Sequence, residues 1–221
     1  MMGKAWVAFD TETTGLPPRK TAAPDNYSEW SNCRLVQLAW EIRNGGGDGG
    51  GDGGDDRDGD RDRDGDGRSI AKACYIIRPD GFTIPEEVVR IHGISTERAL
   101  AEGVPLLEVL AKFADDMSIY GVDTAVAHNM AFDDSVLLAE LYRAAASETC
   151  DMIKDFIEVW TTRKKRCTMR MGARLDGANG KWPKLHVLYE QLCGPLPDDI
   201  RLHNADTDAR LCADIYEKLL V

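Results

Sequence analysis

Asp10 and Glu12 stand two residues apart in Phe9-Asp10-Thr11-Glu12-Thr13-Thr14-Gly15-Leu16, where a short apolar run ends. Residues two apart on a strand face the same way, so the two carboxylates would lie side by side and repel each other unless a cation sits between them. A second group, His128-Asn129-Met130-Ala131-Phe132-Asp133, falls where another short apolar run hands over to a helical pattern. Asp133 then occupies the first helical turn, where unpaired amides and the helix dipole favour an ionised carboxylate. A third, His203-Asn204-Ala205-Asp206-Thr207-Asp208, also enters a helix. At about 3.6 residues per turn His203 and Asp208 are roughly one and a third turns apart and can face one pocket, while Asp206 lies about 200° round from Asp208 and points away. Each group also has a plain structural reading: exposed acids where a strand meets a loop, Asn129 capping a helix over a core Phe132, a histidine at a helix entrance. Together they offer oxygen donors and few nitrogens, the donor set of a hard cation.

The elements that must position these groups can be read from apolar periodicity. Strands are expected over 4–9, 35–43, 70–78 and 124–127. Helical spacing appears after Val104-Pro105 in Leu106, Leu107, Leu110, Phe113 and Ala114, and again over 131–146. Leu185, Leu188, Tyr189 and Leu192 mark a further helix that ends at Gly194-Pro195, and 205–220 forms the last. Strands first, then strand and helix mixed, predict an α/β sheet covered by helices. The 221 residues suit one domain, 1–221.

Residues 45–67 are built almost entirely from Gly, Asp and Arg, with no apolar group to offset the entropy of ordering, and are expected to be a disordered insertion at a hairpin tip. Asp60-x-Asp62-x-Asp64-Gly65 and Asp62-x-Asp64-x-Asp66-Gly67 imitate the opening of a calcium-binding EF-hand loop. The twelfth positions are Ala71 and Ala73 instead of the required Glu, and the flanks read as strands, so the imitation is compositional.

The net charge of −11 argues against general nucleic-acid binding, but it is unevenly distributed. The 163–184 segment carries Arg163, Lys164, Lys165, Arg166, Arg170, Arg174, Lys181 and Lys184 against the single acid Asp176. It reads equally well as a track for a phosphate backbone or as a solvated loop. Six scattered cysteines without a C-x-x-C pair predict reduced thiols rather than a zinc site or disulfide framework. No run near Met1 has the make-up of a signal peptide and none is long enough to span a bilayer, so an intracellular, reducing compartment (cytoplasm or nucleus) and no membrane association are expected.

In this order, Asp10-x-Glu12, His128-Asn129-x-x-Phe132-Asp133 and His203-x-x-x-x-Asp208 resemble the three motifs of the DEDD exonuclease superfamily. The histidine places the resemblance in the DEDDh branch of DnaQ-like and ribonuclease T enzymes, and it runs from Trp6 to the C-terminus apart from the Gly/Asp/Arg tract. Ile91-His92-Gly93-Ile94-Ser95 and Lys181-Trp182-Pro183-Lys184-Leu185 also look like family segments; His92 and His186 are read as structural. The resemblance implies a ribonuclease H-like mixed five-stranded sheet flanked by helices. It implies two Mg²⁺ ions, replaceable by Mn²⁺, with Asp10, Glu12 and Asp208 around one, Asp10 bridging to the other, and Asp133 helping directly or through water. His203 would be the general base that takes a proton from the attacking water, giving a rate that rises between roughly pH 6 and 8.

The implied activity is 3′→5′ exonucleolytic hydrolysis of single-stranded DNA, with proofreading beside a polymerase as one setting. Thr11, Thr13, Leu16, His128, Asn129 and Phe132 would close over the terminal nucleotide, and Arg163, Lys164, Lys165 and Arg166 would begin the track for the rest of the strand. For Phe132, core packing is the favoured reading. An RNA substrate, as in ribonuclease T or oligoribonuclease, is the alternative for the same site; the Asp-Thr-Glu-Thr-Thr-Gly form leans to DNA. A third reading is a catalytically silent nucleic-acid-binding module, whose mark would be a missing carboxylate or histidine.

Overall fold

A computed structural model of the chain describes residues 4–18, 22–45, 69–147, 151–175, 177–197 and 200–220. A mixed five-stranded sheet in the order β3-β2-β1-β4-β5 is built from β1 (Trp6–Thr13), β2 (Leu35–Arg43), β3 (Ser69–Ile76), β4 (Thr124–Ala127) and β5 (Lys164–Cys167). β2 runs antiparallel to β1 and to β3, whereas β4 is parallel to β1 and to β5. This is the ribonuclease H-like arrangement expected from the sequence. Helices α1 (Glu86–His92), α2 (Thr96–Glu102) and α3 (Leu106–Ile119) follow β3. After β4 come α4 (Met130–Ser147) and α5 (Asp151–Thr162), and after β5 come α6 (Thr168–Gly172), α7 (Leu185–Cys193) and α8 (Ala205–Leu219).

Two strands depart from the periodicity reading. β1 continues past Phe9 to Thr13, because Asp10, Thr11, Glu12 and Thr13 pair with Ala39, Leu38, Gln37 and Leu35 of β2. Asp10 and Glu12 are therefore held within the sheet rather than beyond its edge. β5 lies inside the basic segment, where charge conceals any strand pattern; lysine suits such an edge strand because it discourages pairing with another chain. The helices α1, α2, α5 and α6 were likewise not anticipated.

Alternation along β1 and β2 sorts the sheet into two faces. Val7, Phe9, Leu38, Trp40 and Ile42 join Phe113 of α3, Val136 and Leu137 of α4, and Phe156 and Trp160 of α5 in the main core. Edge-on aromatic contacts centre on Phe113, 5.2 Å from Trp40 and 5.3 Å from Trp160. Both indoles find acceptors: Trp40 donates to Asp116 and Trp160 to Asp134, at 3.0 and 2.8 Å.

The opposite face receives α8. Trp6 and Ala8 pack on Cys212, Ala213 and Tyr216, and Ala39 meets Ala205 and Ala209, so small side chains let the start of α8 approach the strands closely. The helix is tied to β2 at both ends. The Ala205 N–H donates to Gln37 Oε1 at 3.1 Å, and Arg43 reaches Asp214 and Glu217 at 2.9 and 3.2 Å. Gln37 to Arg43 spans about 20 Å of strand at roughly 3.3 Å per residue, close to the ~18 Å of helix from Ala205 to Glu217. β2 thus fixes both position and direction of α8.

A buried Glu140 on α4 anchors the start of β2, accepting from the Leu35 N–H at 3.1 Å and pairing with Arg34 and Arg143. No helix among the described residues is long and apolar enough to cross a membrane. Cys33, Cys74, Cys167, Cys193 and Cys212 form no disulfide, and Cys33 and Cys212 are buried.

Except for Gly45, the Gly/Asp/Arg tract 45–67 lies outside the described residues, but Arg43 and Ser69 at its two ends are register partners. Replacing 45–67 by a short Asn-Gly turn is therefore expected to leave the thermal midpoint and far-UV circular dichroism unchanged; loss of the folded state would refute the hairpin closure. Ala209→Leu should do the opposite, forcing α8 from Ala39. We expect a stability loss of about 1–3 kcal/mol in denaturant titration and at least tenfold weaker Mn²⁺ uptake by calorimetry, although no carboxylate has changed.

Candidate active site

The local reason for each carboxylate's position is different. Asp10 and Glu12 share one face of β1, the face on which α8 lies, while the intervening Thr11 points to the other side. Asp133 comes from the first turn of α4, which begins where β4 ends beside β1. Asp208 is one turn inside α8, whose N-cap Asn204 accepts from the Asp206 N–H at 3.1 Å. As expected, Asp206 is exposed and turned from the cluster.

One carboxylate oxygen each from Asp10, Glu12 and Asp208 lie within 4.8 Å of one another. Asp133 borders this trio. Its Oδ1 accepts from both the backbone N–H and the hydroxyl of Thr11, at 3.1 and 2.8 Å. Thr11 thereby fixes α4 against β1 and fixes which oxygen of Asp133 remains available.

His203 precedes α8 with φ of +59°, a left-handed conformation that is uncommon for a residue with a side chain and tends to occur at functional positions. Its backbone N–H donates to Asp208 Oδ2 at 3.1 Å. The ring is exposed and makes no hydrogen bond to a described residue. Asp208 Oδ1 is buried and has no hydrogen-bond partner among the described residues, an arrangement that is costly unless a cation completes it.

Charge repulsion follows from this packing. Burial, followed by the charges of Asp133, Asp208 and Glu12, raises the Asp10 carboxyl far above the usual range. Burial and the charges of Asp208 and Asp133 push Glu12 up to about 8. For Asp133 burial wins over the two Thr11 hydrogen bonds and the helix amide, and the carboxyl rises to about 7. The expectation that the helix start keeps Asp133 ionised is corrected here: without a cation, desolvation is the larger effect. Asp208 rises to about 6 through burial, opposed by His203 and His186.

Three converging carboxylates, one of which carries an unpartnered buried oxygen, fit a hard divalent cation such as Mg²⁺ or Mn²⁺, and one such group is present among the described residues. A cavity of about 460 Å³ lined by Arg34, Arg78, Phe82, Leu106 and Arg143 shares no residue with it.

The residues expected to close over a terminal nucleotide are placed unequally. Leu16 is 83% exposed just past β1, and Asn129 is exposed beside Asp133. Phe132 is partly buried against the main core. Thr13 is buried, its hydroxyl donating to the Gly15 carbonyl at 2.7 Å. His128 has both ring nitrogens engaged, Nδ1 with the Thr168 hydroxyl at 2.9 Å and Nε2 with the Pro183 carbonyl at 3.0 Å. A carbonyl can only accept, so Nε2 carries a proton, and burial lowers the pKa of the ring.

The first four basic residues of the 163–184 segment are occupied by their own chain. Arg163 donates to the Val122 carbonyl. Lys164 pairs with Asp123 at 3.4 Å and Lys165 with Asp134 at 2.5 Å, while Arg166 donates to the Lys165 carbonyl at 3.5 Å. By contrast, Arg170, Arg174, Lys181 and Lys184 have no ion pair to a described residue. His186, read from the sequence as structural, lies close enough to act electrostatically on both Asp208 and His128. Its position one residue into α7 carried no local signal, because helix packing alone brings it there. His92, read as structural, is buried with Nδ1 accepting from the Ile94 N–H at 3.1 Å.

No protein-family model matches the sequence, and no curated protein matches it. Solved structures do. One of exonuclease I aligns with a TM-score of 0.62 at 17% identity, over 98% of this chain and 40% of that one. E. coli exonuclease I in complex with a 5cy-dA13 oligonucleotide gives 0.60 at 18% identity, over 98% and 40%, and a product-bound exonuclease I gives 0.59 at 16%, over 98% and 43%. The chain therefore spans well under half the length of these proteins, and at such low identity the likeness is one of fold.

Proposed function

We propose that the protein is a metal-dependent 3′→5′ exonuclease that hydrolyses terminal phosphodiesters of single-stranded nucleic acid, DNA in preference to RNA. The observation that carries this reading is the convergence of the Asp10, Glu12 and Asp208 carboxylates, together with the absence of any hydrogen-bond partner for Asp208 Oδ1 among the described residues. Support comes from the fold, shared with structures of exonuclease I bound to dA13, dA16 and dT13 oligonucleotides.

Bound at these carboxylates, a pair of Mg²⁺ or Mn²⁺ ions would supply charge neutralisation at the scissile phosphate and acidify an attacking water. Asp10, Glu12 and Asp208 would hold this metal, with Asp133 Oδ2 available to assist because its Oδ1 is held by Thr11. His203 takes the proton of the attacking water; its exposed ring is free to swing toward solvent and release it, while its backbone stays tied to Asp208. Leu16, exposed just past β1, and Asn129, exposed just before α4, limit the reaction to a strand end by packing against the last nucleotide. A polymerase partner is one setting for this activity.

On a 5′-labelled DNA strand with Mg²⁺, the wild-type protein should give a ladder shortening from the 3′ end, and the same RNA strand should be cut more slowly. EDTA or Asp208→Ala should abolish the ladder, and His203→Ala should lower the rate at least a hundredfold and remove its rise between pH 6 and 8. A ladder that survives EDTA or Asp208→Ala would refute the metal site; an unchanged pH profile in His203→Ala would refute the base.

The charge on the carboxylates gives a second test. Their pKa values are raised by folding, so between about pH 4 and 8 the folded protein binds more protons than the unfolded chain. Stability of the metal-free protein should therefore fall as pH rises through this window. Mn²⁺ uptake should release more protons at pH 6 than at pH 9, as read by calorimetry in buffers of different ionisation enthalpy. Equal release at both values would contradict the protonated, metal-free cluster.

A further inference from the structure

Four of the five tryptophans are buried: Trp6, Trp30, Trp40 and Trp160 are at most 3% exposed. Trp182 is 65% exposed. A single exposed apolar residue is ordinary, but this one sits on an immobilised backbone at the border of the carboxylate site. The Pro183 carbonyl accepts from His128 Nε2, and Thr168 holds the other side of the same ring. Pro183 also packs on α6, lying with Leu188 around Gly172 so closely that a Cβ there would come within 3.0 Å of both. Four residues beyond Trp182, His186 exerts its charge on Asp208. The chain thus runs from the indole to the metal ligands through a short, anchored segment.

The surrounding charge indicates what would cover the indole. Lys181 and Lys184 flank it and, like Arg170 and Arg174 earlier in the same segment, have no ion pair to a described residue, unlike Lys164 and Lys165. An exposed aromatic ring flanked by exposed cations is the make-up of a single-strand stacking platform: the ring takes any base, and the cations take the backbone.

We infer that Trp182 is a stacking platform for a nucleobase upstream of the terminal nucleotide, with Lys181 and Lys184 on the adjoining phosphates, an assignment that rests on the nuclease reading above. It makes single strands, rather than duplex ends, the preferred substrate, because a stacked base must leave its duplex neighbours.

Trp182 is its own reporter, since the other indoles are shielded. The full chain, with Ca²⁺ in place of Mg²⁺ to slow hydrolysis, is titrated with a decathymidylate and with an abasic strand of the same length. The decathymidylate should quench tryptophan emission and the abasic strand should not. Trp182→Ala should weaken decathymidylate binding, measured by anisotropy of a labelled strand, by roughly 5- to 100-fold. Trp182→Phe should recover most of it, and Lys181→Ala with Lys184→Ala should flatten the salt dependence. Hydrolysis of the p-nitrophenyl ester of thymidine 5′-monophosphate with Mn²⁺, which has no upstream base, should be unchanged in Trp182→Ala.

Wild-type affinity in Trp182→Ala, equal quenching by the abasic strand, or no strand binding by the wild type would each overturn the platform. Absence of ester hydrolysis in a wild-type protein whose emission is quenched only by strands bearing bases would instead remove the nuclease reading and leave the platform standing.

Discussion

Anions brought together out of water repel one another, and much of this molecule is arranged so that four carboxylates stay together nonetheless. Asp10, Glu12, Asp133 and Asp208 all have raised pKa values, burial being the largest cause for each and the neighbouring carboxylates adding to it for Asp10 and Glu12. A cluster of this kind lowers the stability of the folded chain, and it persists because the surroundings leave the side chains nowhere else to go. Thr11 holds Asp133 with two hydrogen bonds, and His203 holds Asp208 through its backbone amide. The remaining orphan, Asp208 Oδ1, is where a divalent cation would repay the strain.

The wider fold acts on this cluster through β2. Its pairing with β1 extends the latter far enough to include both Asp10 and Glu12. Its outward side chains Gln37 and Arg43 hold the two ends of α8, and Ala39 between them, opposite Asp10, admits the helix close to the strands. At its start, the buried Glu140 joins β2 to α4, the helix that carries Asp133. A strand with no metal ligand of its own thus sets the spacing between ligands on β1, α4 and α8.

Charge on the outer edge is divided between two uses. Lys164 and Lys165 of β5 pair with Asp123 and Asp134, whose partners are fixed by the parallel neighbour β4 and by α4. These pairs are partly solvated and each contributes little to stability. Arg170, Arg174, Lys181 and Lys184 after β5 have no ion pair to a described residue, and they precede or follow the Pro183 carbonyl to which His128 donates. His128, in the second motif, is in this respect a structural link rather than a free donor.

The three acidic motifs, the last two helices and most of the sheet were legible from residue types alone, because alternation along strands and the 3.6-residue period of helices are local properties. So was the orientation of Asp206 away from Asp208, which is helix geometry. What local pattern did not contain was any interaction between distant residues. The length of β1 depends on pairing with β2, β5 is a strand only because β4 offers it an edge, and the state of Asp133 depends on burial that a helix start by itself does not impose. The same holds for Lys164 and Lys165, cations in sequence but partners of Asp123 and Asp134 in space, and for His186, brought to Asp208 by helix packing. By itself the chain's order of residues determined which side chains could do chemistry and on which elements they lie. Only the tertiary structure decided which are desolvated, which are paired and which remain free, since each of those depends on groups that meet only when the chain has folded.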